Sequence, residues 1–568
     1  MRAKQLISVT LLLCMVQWPW NAAAQSGRTP APARHGMVVS SNYLASEVGR
    51  EVLRDGGNAV DAAVATAFAL AVTLPSAGNI GGGGFIVYHG ADGTVTTFNF
   101  REKAPIAATR TMFLGMDGEI ANESNHEGLL AVGVPGTVAG LALAHERLGS
   151  RKWADLVEPA VNLARKGFPS TWAMQWFLKM LAENPDRFPT TAEVFLKNGT
   201  EMYEPGELFK QPELAATLDR IRKEGRDGFY KGKTAKLIAD FMRENGGLIT
   251  EEDLAAYEPE ELTPIHGTFR DYDVYSMPPP SSGGVALVEM LNILEAYPLK
   301  ELGHNSADYL HLLTEAMRRA YADRAQFLGD PNFNPEMPVG ELISKQHAAE
   351  LRENISPYMA SVSDSATFNL AYESEQTTHL SVVDAEGNMV SMTYTLEYSY
   401  GSRIVVPGAG FLLNNEMGDF NPIPGRTTTT GLIGTVPNQV EPQKRMLSSM
   451  TPSIVARDGK PVLAIGSPGG RTIINTVLQV ILNVVEHDMN VAEAVEAPRI
   501  HHQWLPDITS FEGYGFSKDT MRLYEQFGHR TRVRGSQGSA MAIYNDWANG
   551  MLYGAADSRS FDSEAAGY

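Results

Sequence analysis

Apolar residues recur at helical spacing over 41–53 and again over 58–72, with Asp55-Gly56-Gly57 between the two runs. Asn58 suits the start of the second helix, and the Ala/Val-rich stripe after it predicts burial. Gly78-Asn79-Ile80-Gly81-Gly82-Gly83-Gly84 breaks the pattern, after which 85–89 and 95–100 read as a strand pair. From about 134 to 327 the spacing is mainly helical, with segments at 141–148, 153–166, 214–223 and 310–327. Pro278-Pro279-Pro280-Ser281-Ser282-Gly283-Gly284 forms a stiff turn before one of these helices. Residues 352–376 are mostly polar and lack periodicity, as expected of an exposed, cleavable segment. The texture then changes. Residues 378–383 alternate, Asp384-Ala385-Glu386-Gly387-Asn388 supplies a turn, and 389–396 alternate again, which predicts a hairpin. Further strands are expected at 404–406, 410–413, 453–456, 461–465, 540–544 and 551–553, with helices at 473–486 and 491–497. Sheets flanked by helices, drawn from both halves of the chain, favour one intertwined α/β/α sandwich.

The first 24 residues change the picture, because they read as a secretory signal rather than as part of the fold. Arg2 and Lys4 supply a basic start, 6–16 an apolar stretch, and Ala22-Ala23-Ala24 the small residues a signal peptidase reads. The apolar run is short for a membrane span, and Leu13 before Cys14 fits a lipoprotein cleavage site poorly. A periplasmic or secreted protein without a membrane anchor is expected, with 25–36 as an irregular lead-in. Cys14 is the only cysteine, so the exported part has no disulfide, thiol nucleophile or cysteine metal ligand. The formal charge of −19 is uninterrupted by any basic run, which argues against nucleic acid as a partner. A small anionic substrate would need a locally basic pocket.

Candidate chemistry begins at Thr377-Thr378-His379, where the polar segment meets a strand. A Thr-Thr pair opening a strand is, by itself, ordinary β-propensity. Its neighbours give it a different meaning. Thr377-Thr378-His379-Leu380-Ser381-Val382-Val383-Asp384, Leu413-Asn414-Asn415-Glu416-Met417-Gly418-Asp419-Phe420, Lys444-Arg445-Met446-Leu447-Ser448-Ser449-Met450 and Gly466-Ser467-Pro468-Gly469-Gly470 occur in that order. Asn79-Ile80-Gly81-Gly82-Gly83-Gly84 and Phe100-Arg101-Glu102 precede them. By these motifs the sequence resembles the γ-glutamyltranspeptidases, a family of N-terminal-nucleophile hydrolases, from about Gly36 to Tyr568.

The resemblance implies an α+β fold, a four-layer αββα sandwich, made as one precursor. Cleavage between Gln376 and Thr377 would leave a large piece (25–376) and a small catalytic piece (377–568). Thr377 would then carry both the attacking hydroxyl and a free α-amine, whose ordinary pKa near 7.7–8.0 suits it as a base. The resemblance further implies that Thr395 holds the Thr377 hydroxyl and that Gly469 and Gly470 form the oxyanion hole. Arg101, Ser448 and Ser449 would bind the α-carboxylate of the substrate, and Glu416 and Asp419 its ammonium. Glu397 stands where many members carry Asn and adds a carboxylate. The implied substrates are glutathione and other γ-glutamyl compounds, with water, amino acids or peptides as acceptors. Neither metal nor cofactor is implied. Thr427 to Thr430 replace a shielding Tyr that many bacterial members place in a lid.

The rival readings are a related acylase for glutaryl or poly-γ-glutamate groups and a non-catalytic exported binding protein. Glutaryl groups lack the ammonium that Glu416 and Asp419 would accept, and retention of Thr377, Thr395 and Arg101 argues against a decayed enzyme. Other signals carry less. Gly81 to Gly84 lacks the Lys and helix of a phosphate loop and reads as close backbone approach. His501-His502 has no carboxylate at ligand spacing and reads as packing or hydrogen bonding. Arg318-Arg319 reads as a solvated helix face.

Overall fold

The computed structural model describes residues 28–363, 377–426, 428 and 434–568. The expected leader, Gln376 and most of the 427–430 stretch lie outside the described residues. Two seven-stranded sheets stack face to face. The first runs Glu564–Gly567, Met37–Ser40, Thr378–Val383, Met389–Thr395, Gly83–His89, Val95–Asn99, Glu260–Leu262. The second runs Ala31–Ala33, Met551–Ala556, Met541–Asp546, Lys460–Gly466, Ser453–Arg457, Tyr272–Ser276, Ile265–Phe269. Every neighbouring pair in both sheets is antiparallel.

Side-chain alternation builds three apolar layers from these strands. Val38, Leu380, Val382, Val390, Met392 and Tyr394 face helices Tyr43–Arg54 and Ala59–Thr73 in one outer core. Met37, Val39, Val87, Val383, Ile454, Ala464 and Ile543 meet between the sheets. On the far side, Val455, Leu463 and Ile465 pack against helices Gly283–Leu294, Ala307–Phe327 and Thr472–Val485. The result is the four-layer αββα arrangement. Residues two apart along a strand share a face, so Leu380 and Val382 point to helices while His379 and Ser381 point between the sheets.

The central hairpin is anchored at its turn. Asp384 accepts from the amide of Asn388 at 2.9 Å and from that of Ala59 at 2.9 Å, tying the turn to the first residue of a buried helix. Asn58 caps that helix through the Val60 and Asp61 amides, and Asp61 reciprocates with the Asn58 amide.

Several expectations needed correction. The runs at 404–406 and 410–413 are not strands; a single bridge joins Val405 to Leu412 around a turn in which Gly408 and Gly410 take positive φ. The lead-in is partly ordered, since Ala31–Ala33 forms an edge strand on Met551–Ala556. Arg318-Arg319 is not a solvated face: Arg318 is buried, and both arginines pair with the wholly buried Glu315. Met37–Ser40, unforeseen, lies between the C-terminal strand and Thr378–Val383.

Candidate active site

Thr377 immediately precedes the strand Thr378–Val383, whose register pairs Thr378 with Tyr394. Extending that register by one residue sets Thr377 opposite Thr395, the last residue of Met389–Thr395. Thr395 is held on both sides. Its carbonyl accepts from Asn79 Nδ2 at 2.9 Å, and its Oγ1 accepts from the Glu397 amide at 2.9 Å. The glycine run makes this possible, since a Cβ on Gly82 would stand 2.0 Å from the Thr395 carbonyl oxygen. Close backbone approach is thus the work of Gly81 to Gly84.

On the strand that follows Thr377, His379 is buried and neutral, its pKa brought down to about 3 by burial. Its ring nitrogens contact Thr393 Oγ1 at 2.8 Å and Ser381 Oγ at 3.0 Å. A Cβ on Gly466 would stand 2.2 Å from that ring, so the strand leading to Gly469-Gly470 rests on His379. Gly469 and Gly470 have φ of +134° and +54°, a path that favours glycine. Their carbonyls accept from Thr472 and Ile473, which starts the helix Thr472–Val485. Among the described residues, neither glycine amide donates a hydrogen bond. Two free N–H groups at a sharp turn are suited to a developing oxyanion.

A tight cavity of about 20 Å³ joins these parts. It is walled by Thr377, Thr395, Glu397, Arg101, Glu416, Asp419, Ser448, Ser449 and Gly470, so nine of the ten proposed chemical residues share one site. Gly469 is adjacent in sequence to Gly470.

The electrostatics are unusual. Arg101 is buried and ion-pairs with Glu416 and Asp419, with Glu102 at 3.6 Å. Its Nε and Nη2 also reach the carbonyls of Met446 and Leu447 at 3.4 and 3.3 Å, so the Lys444–Met450 motif cradles it. One guanidinium cannot offset three carboxylates. Burial drives the Glu416 carboxyl well up, Arg101 pulls it back, and Glu102, Asp419 and Glu397 push it further. Burial likewise moves Glu102 to about 8 against the pull of Arg101. Apart from the ion-pair contacts, both oxygens of Glu102 and of Glu416 lack a hydrogen-bond partner among the described residues. Three buried carboxyl groups thus share one guanidinium, and burial favours the neutral form of Glu102 and Glu416.

The sequence model of the family described as Gamma-glutamyltranspeptidase matches residues 45–567. The chain belongs to the γ-glutamyltranspeptidase family. It is 47% identical over 542 residues to a glutathione hydrolase proenzyme of Escherichia coli strain K12, covering 95% of this chain and 93% of that one. Among solved structures it is similar to a cephalosporin acylase from Bacillus halodurans, with TM-score 0.85, 26% identity and coverage of 98% and 99%. It is also similar to the γ-glutamyltranspeptidase of Helicobacter pylori, with TM-score 0.56 and 44% identity over 57% of this chain and 92% of that one. Like those relatives, this γ-glutamyltranspeptidase has the N-terminal-nucleophile hydrolase fold.

Sequence reasoning missed the supports of the family site. Arg324, buried on the helix Ala307–Phe327, donates to Ser449 Oγ at 2.9 Å and to Ser282 Oγ at 2.8 Å. Ser282 in turn donates through its amide and hydroxyl to the Ser448 carbonyl, at 2.8 and 2.6 Å. The Pro-rich turn therefore positions the two serines, although its spacing announced only a turn. His126 lies 3.1 Å from Glu397 and stacks on Tyr398, and no local pattern marked it. His501 and His502 are buried in hydrogen bonds, with Asn475 and Gln503 on His501 and with Asp507 and the Trp504 amide on His502. Among the described residues, no helix is long and apolar enough to cross a membrane.

Proposed function

We propose that this precursor cuts itself between Gln376 and Thr377 and that Thr377, as the new N-terminus, is the nucleophile of a γ-glutamyltransferase and glutathione hydrolase. The observation that carries this reading is that Thr377 and Thr395, set opposite one another by the extended strand register, wall the same cavity as a buried arginine and several carboxyl groups. In the precursor the Thr377 nitrogen is an amide and cannot act as a base. Cleavage frees it, and the same hydroxyl that attacks Gln376 becomes available for substrate. The products would be a large piece (25–376) and a small piece (377–568). The proenzyme name of the 47%-identical relative supports this processing.

The chemistry then uses the residues around the cavity. The Thr377 amine takes the proton from Oγ1, which attacks the γ-carbonyl carbon. The oxyanion is received by the amides of Gly469 and Gly470, each such donor contributing about 2.7–4 kcal/mol in comparable sites. The intermediate collapses by expelling the leaving amine, which takes the proton from the Thr377 ammonium and leaves a γ-glutamyl ester on Oγ1. Water or an acceptor amine reverses the sequence and releases glutamate or a new γ-glutamyl product.

Recognition of the glutamyl end exchanges partners. Its α-carboxylate displaces Glu416 and Asp419 from Arg101 and meets Ser448 and Ser449. Its ammonium takes the freed carboxylates, with Glu397 beside them. Swapping ion pairs gives each charge of the ligand an opposite partner inside the pocket. The preference for an ammonium disfavours a glutaryl substrate, despite the fold shared with a cephalosporin acylase.

Thr377 also borders a second cleft of about 440 Å³ that includes Trp172, Trp176, Tyr400 and Phe561. That side suits the leaving group and the acceptor. The leader-like pattern of the first 24 residues supports export to the periplasm or medium. Mass spectrometry of the purified protein tests the proposal: a piece beginning Thr-Thr-His-Leu is expected, and Thr377→Ala should stay uncut and inactive. A Thr377→Ala chain that still splits at this bond would refute it.

A further inference from the structure

Among the described residues, two groups of metal-capable side chains lie away from the candidate active site. In one, His311, Glu315 and His529, the carboxylate already belongs to Arg318 and Arg319, and His311 bonds both His529 and the Ser356 carbonyl. A cation there would have to displace two guanidiniums.

The other group lacks such partners. Glu289 sits in the middle of Gly283–Leu294, a helix in which every residue is buried. Among the described residues no Lys or Arg charge acts on it, its Oε1 has no hydrogen-bond partner, and its one side-chain hydrogen bond is with Asp323. Across from it are Asp323, on Ala307–Phe327, and His347, on Lys345–Arg352. Each of the three offers a ligand atom, and these atoms lie within 4.8 Å of one another. His347 Nε2 is 2.7 Å from Asp323 Oδ2, the only ion pair either makes among the described residues. Burial drives the Glu289 carboxyl well up, and Asp323 pushes in the same direction. Two carboxylates and one imidazole in a largely apolar setting need a proton or a cation to coexist.

We propose that Glu289, Asp323 and His347 bind a divalent transition-metal ion of the Zn²⁺ or Mn²⁺ class. One imidazole and two carboxylates are a common ligand set for such ions, with water completing the shell. Asp323 and His347 retain 16% and 15% side-chain exposure, which leaves a path from solvent, whereas Glu289 has none. The ion would join three helices. One of them starts directly after Ser282 and another carries Arg324, the supports of Ser448 and Ser449, so the role is structural and lies behind the carboxylate pocket. The competing arrangement is a proton held by Glu289, which needs no ion.

The two are separable in the full-length protein after chelator treatment. Uptake of Zn²⁺ and Mn²⁺ is measured by calorimetry and elemental analysis, and the melting temperature is recorded with and without ion. One ion per chain is expected, with a rise in melting temperature at saturation. Glu289→Gln and His347→Ala should each weaken binding by roughly 10- to 100-fold or more, as loss of ligand contacts does elsewhere. Failure of the unaltered chain to take up either ion overturns the proposal, whatever the variants do. So does equal uptake by Glu289→Gln, which would place the ion elsewhere. A chelated Glu289→Gln chain as stable as the parent, with no uptake by either, identifies the shared proton instead.

Discussion

Two buried arginine clusters in this enzyme look alike in composition and differ in balance. Around Glu315, Arg318 and Arg319 supply two cations against Glu315 and Asp507, and the Ser361 amide adds a donor at 3.0 Å. The Glu315 carboxyl is consequently held down at about 2, because the two arginines and Ser361 outweigh the effect of burial. Around Arg101, one cation faces Glu102, Glu416 and Asp419, and apart from these ion pairs the oxygens of Glu102 and Glu416 have no hydrogen-bond partner among the described residues. The first cluster is complete without a ligand and serves the fold. The second leaves carboxyl groups without a cation of their own, and in the proposed reading these are what a ligand's ammonium would meet. A buried charge cluster therefore points to function through what remains uncompensated, more than through its being buried.

That contrast can be broken from either side. The largest effect is expected from Arg318→Met, which leaves Glu315 and Asp507 short of a cation and should cost about 3 kcal/mol of stability in denaturant unfolding. A loss below about 1 kcal/mol would show that the cluster is not balanced as described. Arg101→Met should act mainly on binding. The KM for a γ-glutamyl donor should rise by roughly 10- to 150-fold, equivalent to about 1.5–3 kcal/mol for a charged hydrogen-bonded contact, on top of any stability lost with the cation. An unchanged KM would remove Arg101 from the carboxylate site. Glu416→Gln replaces a carboxyl that burial already drives toward its neutral form, so stability should hold while donor KM rises by about tenfold.

The pH dependence sharpens the same point. Glu315 lies at about 2 in the fold against an ordinary 4.5, a depressed carboxyl. Its stabilisation is thus fully present above 4.5 and is lost as pH falls toward 2. Unfolding followed through that window should show the decline, and Arg318→Met should flatten it.

Much of the layering was legible along the chain. The helix at 153–166 matches Trp153–Lys166, Asn58 caps its helix, and the hairpin around Asp384 falls where alternation placed it. Period and capping are local, so local sequence reports them. Short strands were less legible. Ala31–Ala33 and Glu564–Gly567 are edge strands with little pattern of their own, ordered by the neighbours they pair with. Residues 404–413 alternate well enough, yet find no partner strand in either sheet.

From the sequence alone came the order of the motifs, the candidate nucleophile, the glycine turn and the acidic and basic residues of the pocket. Folding decided their distances. It brought Arg101 onto Glu416 and Asp419 across more than 300 positions of chain, placed Arg324 behind Ser449, and hid Arg318 beside Glu315. The physical reason is that residue type and spacing register what a segment prefers, whereas charge compensation depends on which segments meet. That is a property of the packed sandwich and is written in no single stretch of it.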